Sequence, residues 1–198
     1  MIKASLRLQQ QIQFILEADR LKNVLRQNVL ADRSRQENSA EHSWHLIVMA
    51  NVLHEHFPKG TDLSRVSKML AVHDLVEIMA GDVFAYDEKG AEAKAQKEQQ
   101  AANEIFGKLP PDQRDELIAL WHEFEEGQSN ESRAAWAVDR LQPFIMNFYT
   151  EGASWRKHGV RRAQVEKRMA AVCAISPELN ELVMDMIEQA VKNGWIKP

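Results

Sequence analysis

The chain has 198 residues, 44% of them apolar and 27% charged, enough for a core and a hydrated surface in one compact domain with at most an appended helix or two. Lys and Arg total 25 against 29 Asp and Glu, a formal charge of −4, which gives no electrostatic ground for binding DNA, RNA or anionic lipid. A single cysteine, Cys173, excludes an intramolecular disulfide and a cysteine-based zinc site, and it suits a reducing, cytoplasmic compartment.

Eight glycines and six prolines are spread over the whole length, a scarcity of turn residues that favours long helices over a many-stranded β fold. Leu6, Leu8, Ile12, Ile15 and Leu16 fall near helical spacing and predict an amphipathic helix over 4–18. Lys3 and Arg7 break up any apolar run of the signal-peptide kind. No stretch approaches the roughly 20 apolar residues of a membrane span.

Residues 26–38 lose periodicity and read as a loop rich in Arg, Asn and Asp. Asn38 followed by Glu41 has the pattern of a capping box, opening a helix that should run to about His56. A third helix is expected from near Asp62 to Gly81, followed by a polar loop over 82–91. Further helices are expected over 92–106, 112–126 and 131–149, the last interrupted at Pro143, and in the tail over 160–173 and 177–193. The expectation is one all-α domain over 1–198, without internal repeats.

The chemistry-bearing residues stand out by their helical phase. His42, Leu46, Met49 and Leu53 share one stripe, and Val66, Leu70, His73 and Glu77 share another. Asp74 lies one step round, in line with Leu70 and Ile78. An inward-facing His–Asp pair needs a compensating charge, because an unpaired buried carboxylate costs several kcal/mol or more. A divalent cation supplies that charge, since imidazole nitrogen and carboxylate oxygen suit Zn, Mn, Fe, Co and Ni. Asp139 is set among Trp136 and Leu141, four residues before Pro143, whose missing N–H leaves the Asp139 carbonyl without its helical partner.

The order His42, then His73-Asp74, then a distant Asp139 resembles the HD-domain metal-dependent phosphohydrolases. The flanking residues carry the likeness further. They run Glu37-Asn38-Ser39-Ala40-Glu41-His42-Ser43-Trp44-His45, then His73-Asp74-Leu75-Val76-Glu77, then Ala80-Gly81-Asp82, and finally Ala137-Val138-Asp139-Arg140-Leu141-Gln142-Pro143. As a set these are similar to the small branch that includes bacterial 5'-deoxynucleotidases, over roughly residues 5–150.

The resemblance implies an HD-domain helical bundle around a divalent metal (Mn, Co, Mg, Zn, Ni or Fe) bound by His42, His73, Asp74 and Asp139. It also implies acid/base roles for Glu77 and Asp82, or a second ion beside them. Metal-activated water would then hydrolyse a phosphomonoester, for which a (deoxy)nucleoside 5'-monophosphate is the leading substrate. Arg33 and Arg35, just before the metal-binding helix, are candidates for phosphate recognition because a guanidinium can fork two oxygens. Arg26-Gln27 stands near the place where the deoxynucleotidases carry an Arg-Trp pair.

Two other readings compete. A di-iron HD-type oxygenase would need additional histidines between the His–Asp pair and Asp139, where this chain has only His122. A non-catalytic HD module acting as a binding or scaffold protein would lack ligands that are all present here. A homodimer is the expected assembly, since C2 dimers are the commonest.

Overall fold

The structure is a computed structural model that describes residues 4–82, 86 and 91–198, with the backbone alone for 91–94. The described residues form a helical assembly with one small hairpin. Helix α1 spans Leu6–Asp19, close to its expected range, and is capped by Ser5, whose hydroxyl accepts from the Leu8 N–H. A 3-10 turn, Arg20–Asn23, leads into β1 (Leu25–Val29), which pairs antiparallel with β2 (Gln36–Asn38).

The hairpin corrects the loop expected over 26–38. Most of its residues are polar, and the few apolar ones (Leu25, Val29, Leu30 and Ala31) do not make the regular alternation that marks a half-buried strand. Backbone pairing and the Gln36 side chain, which donates to the Arg26 carbonyl at 2.9 Å, hold it instead.

The capping box forms as the spacing implies. Asn38 Oδ1 accepts from Glu41 N at 3.0 Å, and Glu41 Oε2 accepts from Asn38 N at 3.3 Å. Helix α2 therefore starts at Ser39 and runs to Val52, ending before the expected His56, because His54–His56 tightens into a 3-10 turn ahead of Pro58.

The third expected helix is also subdivided. Helix α3 (Leu63–Val72) gives way to a 3-10 segment, His73–Val76, and then to a single α-turn, α4 (Glu77–Ala80). A mid-helix 3-10 stretch is a frequent companion of functional sites, and here it contains the His–Asp pair. Gly81, at φ +78°, ends the segment in a conformation that favours glycine. The loop expected beyond Asp82 lies largely outside the described residues.

Helices α5 (Ala91–Phe106) and α6 (Pro111–Glu126) follow their expected ranges. Helix α7 (Asn130–Tyr149) continues through Pro143, contrary to the expected interruption. Burial of Leu141, Gln142 and Phe144 around the proline keeps the helix in place, and Asn147 Nδ2 donates to the Pro143 carbonyl. A short helix not anticipated from the pattern, α8 (Ala153–His158), precedes α9 (Arg162–Cys173) and α10 (Pro177–Lys192). Its brevity and two flanking glycines hid it.

Two apolar clusters share α7. Leu46, Leu70, Ile105, Phe106 and Leu120 pack with Ala134, Ala135 and Val138 on one side. Ala137, Leu141 and Phe144 join Trp155, Met169 and Ile187 on the other. Each fully buried large side chain contributes on the order of 1.5–3 kcal/mol. With both faces covered, α7 has a fixed rotation, and Asp139 points where the neighbouring helices dictate.

Helix α6 ends at Gly127, which sits at φ +63° with the Trp136 ring where a Cβ would be, 2.4 Å away. Gly127→Ala should lower stability by about 2–3 kcal/mol, from positive-φ strain and overpacking together. Gly60→Ala, also at positive φ but in open space, should cost only about 1 kcal/mol. Denaturant titration of both variants checks the difference.

Candidate metal centre

The site lies where β1, α2, the His73 turn and α7 meet. His42 and His73 are buried, with 0% and 4% exposure, and their rings stand 5.9 Å apart. Phe124 on α6 closes over His73 at 4.8 Å between ring centroids. One ligand atom from each of His42, His73 and Asp139 lies within 4.8 Å of the other two.

The individual distances bring the ring nitrogens and carboxylate oxygens near one another. His42 Nε2 is 3.1 Å from Asp139 Oδ1, which is 3.8 Å from His73 Nε2. Asp74 adjoins the three, with Oδ1 3.1 Å from His73 Nε2 and Oδ2 4.0 Å from His42 Nε2. Neighbouring ligand atoms about 2.0–2.2 Å from a common ion lie about 3–3.5 Å from each other, the range of the two 3.1 Å contacts, while the 3.8 and 4.0 Å contacts are longer.

The outward-facing nitrogens are occupied. His42 Nδ1 lies 3.1 Å from Gln142 Oε1, and His73 Nδ1 lies 3.0 Å from the Leu70 carbonyl. Each Nδ1 is thus a donor to an oxygen, which turns Nε2 toward the cluster in the manner of metal-bound histidines. His73 Nε2 is buried and has no hydrogen-bond partner, although Asp74 Oδ1 is close. An orphaned imidazole nitrogen among carboxylates fits a divalent cation.

Charge is concentrated around this point. Burial disfavours a charged Asp139, but the hydrogen bond from His42 and the nearby charge of the two imidazoles outweigh it and hold the carboxyl well below its usual range. Burial likewise disfavours a charged His73, yet Asp74, Asp139 and Glu77 push its pKa up to about 9. Glu77 is raised to about 8, first by burial and then by the charges of Asp74 and Asp82, with Arg26 opposing. Its Oε2 accepts from Ser39 Oγ at 2.7 Å, tying the start of α2 to α4.

Arg26 is the cation of the cluster. Nη1 donates to Asp74 Oδ2 at 2.9 Å and lies 3.9 Å from Glu77 Oε2 and 3.8 Å from Asp82 Oδ1. The structure thus brings together His42, His73, Asp74, Glu77, Asp82 and Asp139. It places Arg33 and Arg35 elsewhere: both are exposed, and they pair with Glu151 and Glu41 respectively. Strand β1 turns Arg26 inward to the carboxylates, and the hairpin turn carries Arg33 and Arg35 out.

Glu37 and Gln142 belong to the site as well, and sequence reasoning missed them as functional residues. The available signal was position. Glu37 immediately precedes the capping box, and Gln142 follows Asp139 by one helical turn into an apolar stretch.

Comparison with known proteins agrees with this geometry. A family model described as HD domain matches residues 18–180. The chain belongs to the HD-domain family. A crystal structure of a predicted metal-dependent phosphohydrolase from Magnetospirillum magnetotacticum MS-1 is 45% identical to this HD-domain chain, with a TM-score of 0.93, covering 97% of it and 96% of that protein. The human 5'-deoxynucleotidase HDDC2 is 30% identical over 135 residues, 68% of this chain, and the Bos taurus protein is 30% identical over 136. The matched region spans 65% of the human relative's length.

The charge balance has a pH consequence in the metal-free protein. His73 holds its proton up to about pH 9 in the fold against about 6.5 when unfolded, and Glu77 up to about 8 against 4.5. Both folded pKa values are raised, so this stability is present below the unfolded values and is lost as pH rises through the folded ones. A divalent metal replaces those protons. The rise in Tm on adding Mn2+ should therefore grow from pH 6.5 to pH 9, at about 1.4 kcal/mol per tenfold gain in affinity. A pH-independent rise would contradict the protonation of the empty cluster.

Proposed function

We propose that the protein is a metal-dependent phosphohydrolase acting on a phosphomonoester, with a (deoxy)nucleoside 5'-monophosphate as the leading substrate. The convergence of buried His42, His73 and Asp139 within 4.8 Å carries the reading. The names of the human and bovine relatives support the nucleotide. His42, His73, Asp74 and Asp139 would hold the ion, and Glu77 and Asp82 would serve either as acid/base groups or as ligands of a second ion. The ion would lower the pKa of a bound water and polarise a phosphoryl oxygen.

The remaining chemistry belongs to the side chains. Glu77, held above the usual carboxylate range by burial and by the charges of Asp74 and Asp82, would protonate a departing alkoxide. Asp82, across Arg26 from Glu77, would accept a proton from the attacking water. Arg26 would exchange its carboxylate contacts for a substrate phosphate, which its planar fork matches. Phe124 and the packed helices keep bulk water from the imidazoles, strengthening each electrostatic contact.

A cytoplasmic homodimer is part of the same proposal. Helix α1 has no buried residue and exposes Leu6, Leu8, Ile12, Ile15 and Leu16, while α2 exposes Trp44, Val48 and Val52 at four-residue intervals. Such apolar faces suit a self-complementary contact. Among the described residues no helix is long and apolar enough to cross a membrane.

Phosphate release from ribo- and deoxynucleoside monophosphates and sugar phosphates, assayed with Mn2+ and Co2+, tests the activity. Asp74→Ala should abolish metal binding and reduce turnover by more than about 10²–10³-fold, the loss typical of removing one transition-state charge stabiliser. Full phosphatase activity in that variant would refute the ligand assignment. Metal bound without turnover on any substrate would favour the scaffold reading.

A further inference from the structure

Behind His42 lies a layer of buried polar groups that do not touch the metal position. Gln142 is fully buried on α7, and Glu37 is 4% exposed on β2. Gln142 Oε1 stands 3.1 Å from His42 Nδ1, while its Nε2 donates to Glu37 Oε1 at 2.6 Å and lies 3.3 Å from His45 Nδ1. We propose that Glu37, acting through Gln142, selects the tautomer of His42 that presents a bare Nε2 to the metal. The inference rests on the metal-centre reading above and names the two positioning residues that serve it.

The donors and acceptors have one consistent arrangement. A carboxylate only accepts, so the hydrogen in the 2.6 Å contact comes from Gln142 and fixes its NH2 end toward Glu37. The second amide hydrogen then faces His45 Nδ1, which accepts it. The carbonyl end is left facing His42 and can only accept, so His42 Nδ1 carries the hydrogen. With a hydrogen fixed on Nδ1, Nε2 is the nitrogen whose lone pair a cation would take, in place of its 3.1 Å hydrogen bond to Asp139 Oδ1.

The reversed amide would set Gln142 Oε1 against the Glu37 carboxylate, two buried acceptors in contact. It would also leave a lone pair at His42 Nδ1 and a hydrogen on Nε2, where the cation must bind. Glu37 Oε2 adds to the bias, standing 3.7 Å from His42 Nδ1 and 3.8 Å from Arg26 Nε. The same Arg26 donates to Asp74 on the far side. One guanidinium thus donates to Asp74 directly and stands as the ion-pair partner of Glu37 at the head of the relay.

Glu37→Gln is the discriminating substitution, because it keeps size and shape but removes the one-way acceptor. Long-range 1H–15N spectra of the metal-free wild type should show His42 with its hydrogen on Nδ1. In Glu37→Gln the signal should move toward the Nε2–H form. Mn2+ affinity, read from the free-ion EPR signal, should fall about 10–100-fold, as for other groups that orient a metal-bound histidine.

The double variant Glu37→Gln/Gln142→Glu swaps the relay end for end, with an amide at 37 donating to a carboxylate at 142 that still accepts from His42. It should restore both the tautomer and the affinity toward wild type, which a purely structural role would not do. If Glu37→Gln alone fails to fold, the double variant carries the same test. A wild-type tautomer and affinity in Glu37→Gln, or no recovery in the double variant, would overturn the proposal while leaving the metal centre intact. Failure of the wild type to bind Mn2+ would overturn the metal centre and the proposal together.

Discussion

Too much negative charge is gathered in too small a buried volume for the protein to neutralise alone. Glu37, Asp74, Glu77, Asp82 and Asp139 surround two imidazoles, and Arg26 is the arginine set among them. Two like charges 4 Å apart repel by about 4 kcal/mol at an effective dielectric of 20. Without a metal, the cluster would relieve this by retaining protons on His73 and Glu77. A divalent cation would relieve it without them. The packing of α2, α3 and α7 would tolerate this charge with a cation bound at their crossing.

The architecture delivers the ligands to that place. Helix α7, covered on both sides, fixes Asp139 and Gln142 on one turn. The 3-10 segment after α3 changes the angular step between residues, so His73 and Asp74 both reach the centre from adjacent positions. The hairpin ahead of α2 brings Arg26 and Glu37 beside each other and then starts the helix that holds His42. Loss of any one of these elements would leave a buried charge without its partner, which is far costlier than loss of an ordinary contact.

Much of this was legible in the sequence, for reasons that differ by residue. His42 could be placed because Leu46, buried, and Met49 and Leu53, half-buried, repeat its helical phase. The capping box at Asn38 and Glu41 was readable because both partners lie within one turn. Arg26 and Glu37 were not assigned to the site because a short polar hairpin has no apolar period to show which side faces inward. Arg33 and Arg35, chosen for their nearness in sequence to α2, pair with surface acids because the hairpin turn projects outward. Gln142 was invisible as a partner of His42, since a contact across 100 residues leaves no local trace.

The most direct test of a metal-centred site is anomalous diffraction at the manganese edge from crystals grown with Mn2+. The account predicts a peak about 2.0–2.3 Å from Nε2 of both His42 and His73, with oxygens of Asp74 and Asp139 completing the sphere. A peak confined to Glu77 and Asp82, or no peak among these residues, would contradict it.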